Sequence, residues 1–63
     1  MTARDIVAGL KADGWLVVRT KGSHAQFRHP TKPGLVTVPM HTGDLPIGTL
    51  KSIEKAAGIK LRR

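Results

Sequence analysis

Between Gly22 and Pro30 the sequence changes polarity at every step. His24, Gln26 and Arg28 fall on one side of an extended chain, and Ala25 and Phe27 fall on the other. A period of two with one apolar side describes a strand that is covered on one face and open on the other. Such a strand needs sheet neighbours, and a helical layer over its Ala25–Phe27 face only. The segments around it supply the neighbours. Trp15 to Thr20 is rich in β-branched and aromatic residues and reads as a strand, with Lys21-Gly22 as the hairpin signal after it. Pro30 to Gly34 is a loop, and Leu35 to Pro39 forms a third strand, ended by a proline that cannot donate to a ladder. The first strand is apolar on both sides (Trp15 and Val17 against Leu16 and Val18), so its facing stays open.

The helical cover comes from the two ends. Ala3, Ile6, Val7 and Leu10 recur at helical spacing, after a weak capping box formed by Thr2 and Asp5. Asp13-Gly14 closes this helix, which covers Ala3 to Ala12. A second helix starts at Pro46 and carries an apolar stripe of Ile47, Leu50, Ile53 and Ala57. Lys51 and Lys55 lie on another face, and Gly58 is the stop. Residues 59–63 are a short basic tail. The expectation is one α+β domain over residues 1–63, in the order α-β-β-β-α. It has a three-stranded antiparallel sheet with two helices on one face, and Phe27, Leu10, Leu50 and Ile53 in the core. The same order on a basic chain is that of double-stranded-RNA-binding domains, which read shape, phosphates and 2′-hydroxyls.

With 63 residues and no cysteine, the core is thin and has no disulfide staple or zinc-ribbon site to reinforce it. Eleven Lys and Arg against four acids give a net charge of +7, which attracts polyanions and above all nucleic acid. Asp5, Asp13, Asp44 and Glu54 are scattered, which argues against two-metal nucleases and paired-carboxylate hydrolases. No apolar run has signal-peptide or membrane-span length, so a cytoplasmic protein without membrane contact is expected.

Most single histidines are surface or hydrogen-bonded polar residues. His29, before Pro30 at a strand end, fits that description, as if any polar residue would serve there. His41 sits in a loop where it is free to line a site, but its spacing says nothing specific. His24 and His29 are an odd number of residues apart in one strand, so a zinc site of His24, His29 and His41 is not expected. Ser23 and His24 are strand neighbours that diverge, which rules against a Ser-His nucleophile. Gly22 is a turn residue, since no phosphate-binding glycine motif surrounds it.

His24 is the exception, because it has company. It follows a glycine turn on the open face, with Lys21, Gln26, Arg28 and Arg19 near. Imidazole suits acid–base work near neutral pH. With no metal ligands, no cofactor and no paired acids, the substrate has to bring its own nucleophile. RNA does so through its 2′-hydroxyl, and basic neighbours can stabilise the phosphorane. Composition alone still favours plain RNA binding.

The residues Gly14-Trp15, Val17-Val18-Arg19, Lys21-Gly22-Ser23-His24, Phe27 and His29-Pro30 closely resemble the HicA toxins of bacterial toxin–antitoxin systems. The resemblance continues through Gly34 to Pro39, His41, Asp44-Leu45-Pro46, Gly48-Thr49-Leu50, Ser52-Ile53 and Ala57-Gly58, nearly the whole chain. It implies a double-stranded-RNA-binding-domain-like fold and an mRNA interferase that inhibits translation and growth. The essential residue would be the His of Gly-Ser-His, His24 in this sequence. It also implies a HicB antitoxin that masks the active site and often carries a DNA-binding domain. The roles of Lys21, Gln26, Arg28 and Arg19 in RNA binding come from placement and charge, not from the resemblance. The expected function is a metal-independent endoribonuclease acting on mRNA. The alternatives are a non-catalytic module for double-stranded or structured RNA, and a small basic subunit of a larger complex.

Overall fold

The computed structural model describes residues 1–61. Its elements are α1 (Ala3–Ala12), β1 (Leu16–Lys21), β2 (His24–Arg28), β3 (Val36–Pro39) and α2 (Ile47–Ala57). The strands form one antiparallel sheet in the order β1-β2-β3, so the expected α+β arrangement is the observed one. The alternation in β2 sets its facing. Ala25 and Phe27 are buried with Val36 and Val38 of β3, beneath Ile6 and Leu10 of α1 and Leu50, Ile53 and Ala57 of α2. His24 and Arg28 are exposed and Gln26 is half-buried on the other side.

Both bonds of the capping box are present. Asp5 N–H donates to Thr2 Oγ1 at 3.2 Å, and Thr2 N–H donates to Asp5 Oδ2 at 3.0 Å. Gly58 ends α2 in the left-handed conformation with φ +69°. Ile47 departs from the expected stripe. It is 56% exposed, whereas Leu50, Ile53 and Ala57 are buried.

Trp15 corrects the expected start of the first strand. Its N–H donates to the Leu10 carbonyl at 3.0 Å, so its backbone closes the end of α1 before β1 begins. Its indole is fully buried. The six residues of β1 are all exposed, because the helices pack against β3 and β1 is held mainly by β2. The facing that the sequence left open resolves into one buried aromatic followed by a strand in solvent on both sides. At the C-terminal end, Ile59 and Leu61 pack against the core. Leu61 N–H donates to Glu54 Oε2 at 2.7 Å, and Leu61 lies where a side chain on Gly9 would clash. The last two residues of the expected basic tail lie outside the described residues.

His29 is a structural residue for which other polar side chains would not substitute. Its Nε2–H donates to the Asp13 carbonyl at 2.7 Å, while Nδ1 accepts from the backbone N–H groups of Thr31 and Lys32, each at 3.1 Å. These partners leave Nε2 as the donor and Nδ1 as the acceptor of the ring. The ring stands edge-on to Trp15, with centroids 5.3 Å apart, and lies against Gly14. A Cβ at Gly14 would come within 2.8 Å of His29 Nε2, and φ there is +102°, so both space and backbone require glycine.

Beside this ring, Lys32 Nζ donates to Asp13 Oδ2 and to the Ala57 carbonyl at 3.2 Å, tying the β2–β3 loop to the C-terminal ends of both helices. The hydrogen bond from Lys32 is the main cause that lowers the Asp13 pKa from its ordinary value. Asp5 is lowered too, chiefly by the Thr2 backbone N–H. A carboxyl whose pKa is depressed on folding stabilises the fold fully above its unfolded-state value and loses that contribution as pH falls through the folded value. Asp13→Asn should therefore be less stable than wild type at neutral pH, with the gap closing below the ordinary carboxylate range. Denaturant midpoints of both proteins from pH 7 down to pH 2 check this. A gap that stays constant with pH would show that the Lys32 contact contributes nothing to stability.

Candidate active site

The site is built on the β1–β2 hairpin. Lys21 and His24 are paired across the ladder, with Gly22-Ser23 as the two-residue turn between them. Gly22 has φ +59° and Ser23 is not left-handed, the pattern of a tight hairpin that starts with glycine. Cross-strand partners point to the same face, so the ladder fixes which side chains gather. Lys21 stands beside His24, Arg19 beside Gln26, and Leu16 beside Arg28. The register slips between Val17 and Arg19, leaving Val18 as the extra residue. Val18, Arg19, Gln26, Arg28 and Leu35 line a shallow groove of about 340 Å³ on this open face.

The five residues singled out in the sequence thus share one face, but they are not one cluster. Lys21 is the direct neighbour of His24. Arg28 lies four residues further along β2, about 13 Å away at 3.3 Å per residue. Arg19, opposite Gln26, and Arg28 both lie on the side of His24 away from the hairpin turn, so the positive charge extends from Lys21 along one direction of the sheet face.

The four acids are all engaged elsewhere. Asp5 closes the capping box, Asp13 holds Lys32, Asp44 pairs with the Met1 amino group at 3.3 Å, and Glu54 accepts from Leu61. Among the described residues, therefore, no carboxylate belongs to the His24 face, and no group of three or more His, Asp or Glu side chains could hold a metal ion.

One neighbour of His24 was not visible in the sequence. Met40 N–H donates to the Ser23 carbonyl at 2.5 Å, continuing the β2–β3 pairing past Pro39 and into the hairpin turn. The next residue, His41, is thereby carried to His24, with ring centroids 6.4 Å apart and planes at 81°. Seventeen positions separate the two histidines, and no spacing rule relates a turn to the exit of a later strand. His29 takes no part in this site.

Comparison with known families decides the kinship. The model of the family described as HicA toxin of bacterial toxin–antitoxin matches residues 3–59. The chain belongs to the HicA toxin family. The match runs from the first turn of α1 to just beyond Gly58, and so includes the hairpin, the sheet and both helices. No curated protein matches the chain significantly. Membership makes this HicA chain a toxin component of a toxin–antitoxin system. Among the described residues no helix is long and apolar enough to cross a membrane.

Proposed function

We propose that this HicA chain is a metal-independent endoribonuclease that cleaves mRNA, with His24 as the catalytic base and the RNA 2′-hydroxyl as the nucleophile. The observation that carries the reading is the placing of His24. It is exposed at the head of β2, beside Lys21, on a sheet face that holds Arg19, Gln26 and Arg28 and no acid among the described residues. A positive face without carboxylates can bind and orient a phosphodiester backbone, but it offers few ligands to activate water with a metal. Transphosphorylation needs neither. His24 accepts the 2′-OH proton, the 2′-oxygen attacks the adjacent phosphorus, and Lys21 meets the charge gathering on the phosphorane. Arg19 and Arg28 contact neighbouring phosphates, and Gln26 contributes hydrogen bonds.

The partner reading follows from the same surface. A HicB-like antitoxin with an acidic face can cover His24 and β2, and charge complementarity speeds its capture of free toxin. A stable complex of this kind buries about 1,200–2,000 Å² in total. The exposed Leu16, Val17 and Val18 of β1 give it apolar contacts beside the charged ones.

Purified wild type and His24→Ala, compared on mRNA and for antitoxin binding, test both parts. His24 is exposed, so the variant should fold as wild type does. Cleavage should fall by at least about 10²-fold, while antitoxin binding is retained and hydrogen exchange in β2 slows in the complex. Undiminished cleavage by His24→Ala would falsify the site. RNA binding without cleavage by the wild type would favour the non-catalytic module. Protection confined to α1, with His24 still open, would mean that the antitoxin acts by another route.

A further inference from the structure

We infer that His41 is the general acid of this reaction, acting across the scissile phosphate from His24. The inference rests on the ribonuclease reading above and assigns a second catalytic group to that same site. In-line displacement at phosphorus puts the attacking 2′-oxygen and the departing 5′-oxygen on opposite sides. One group cannot serve both without moving, and a reaction without metal needs a proton donor for the leaving oxygen. The structure provides a second imidazole where such a donor is required. His24 comes from the head of β2 and His41 from the connection between β3 and α2, so the rings reach the site from different directions, 6.4 Å apart at their centroids. Both side chains are exposed and open to substrate.

The position of His41 is anchored on both sides. The Met40–Ser23 hydrogen bond fixes it to the hairpin turn. Three residues on, Asp44 bridges to Thr2, and Leu45 N–H donates to the Met1 carbonyl at 2.9 Å, tying the connection to the start of α1. Between these anchors lies a groove of about 340 Å³ lined by Thr2, Arg4, Met40, His41 and Thr42. Its lining joins His41 to the start of α1 and includes no residue of β1 or β2. The RNA 5′ to the cut lies over β2, and the leaving nucleotide exits past His41, with Arg4 beside the path for its next phosphate.

The step balances as follows. The 2′-O–H proton passes to neutral His24 as the 2′-O–P bond forms. The P–O5′ bond breaks, and protonated His41 gives its proton to the 5′-oxygen. The products are a 2′,3′-cyclic phosphate and a 5′-hydroxyl, with His24 left protonated and His41 neutral until solvent exchange resets them.

The test is a substrate whose leaving group needs no proton. After the cut site has been mapped on ordinary RNA, the same oligonucleotide is made with sulfur in place of the bridging 5′-oxygen. His41→Ala and His41→Gln should cleave ordinary RNA about 10²–10⁴-fold more slowly than wild type, yet cleave the sulfur substrate close to the wild-type rate. His24→Ala should be slow on both. Thermal midpoints should match wild type, since His41 is exposed. Equal losses on both substrates, or no loss on either, would overturn the assignment of His41 while leaving His24 in place. Rescue of His24→Ala by sulfur, with no rescue of His41→Ala, would overturn the assignment by reversing the roles. Full activity of His24→Ala on ordinary RNA would remove the ribonuclease site itself, and this inference with it.

Discussion

Trp15→Ala is expected to cost the domain a large share of its stability and to lower its melting midpoint steeply. Replacing a buried tryptophan by alanine costs about 3–5 kcal/mol, from lost transfer energy and the cavity left behind. A chain of 63 residues at about 0.05–0.15 kcal/mol per residue has about 3–9 kcal/mol in total. The substitution therefore removes at least about a third of that stability, and all of it at the low end. The position is also poorly placed to collapse, because Trp15 supports the His29 ring on one side and joins α1 to β1 on the other. Trp15→Phe separates size from polarity. Among the described residues the buried indole Nε1 has no partner at full hydrogen-bond geometry, only a weak N–H interaction with the Asp13 carboxylate that adds a minor share to its lowered pKa. Phenylalanine gives up volume but also removes a donor whose desolvation goes largely uncompensated, a penalty of about 1–3 kcal/mol. Circular dichroism melts of the three proteins check the order: wild type and Trp15→Phe close together, Trp15→Ala far below. A small loss for Trp15→Ala would mean that the aromatic is not a main support of the core.

Replacing the ribose 5′ to the cut by 2′-deoxyribose is expected to abolish cleavage there while leaving binding almost unchanged. In the proposed complex the backbone is held by Arg19, Lys21 and Arg28 of the sheet face, and each phosphate contact is indifferent to one missing hydroxyl. The nucleophile of the proposed reaction, by contrast, is that hydroxyl, and a deoxyribose would leave His24 with no proton to accept. The 5′ fragment from ordinary RNA should end in a 2′,3′-cyclic phosphate, which mass spectrometry distinguishes from a 3′-hydroxyl. A 3′-hydroxyl end, or cutting at the deoxy position, would require an external nucleophile and would sink the internal-attack scheme.

Local physics made most of the framework legible. The alternation of Ala25 and Phe27 against His24, Gln26 and Arg28 is a one-dimensional pattern, and it fixed both the core face and the set of residues on the open face. The bounds of α1 followed from a cap and a glycine stop in the same way. What stayed hidden depends on contacts between distant segments. Trp15 reads as a strand residue because it is aromatic and precedes valines, but a hydrogen bond to Leu10 takes its backbone out of the sheet. His29 looks replaceable until Asp13, Thr31 and Lys32 are seen converging on its two nitrogens. His41 is silent in the sequence because only the Met40–Ser23 bond relates it to His24.

The full exposure of β1 divides the labour of the sheet. β2 and β3 carry the aromatic and aliphatic weight of the core, while β1 contributes almost none of it. Substitutions from Leu16 to Lys21 can therefore accumulate at little cost to folding, even in a domain with a narrow stability margin. Those same residues border the His24 face and present Arg19 and Lys21 to whatever lies upon it. The surface from Leu16 to Thr20 can change while Lys21, His24 and the buried core stay constant. If the antitoxin covers this face as proposed, changes confined to Leu16–Thr20 would alter partner choice without any need to re-evolve the fold.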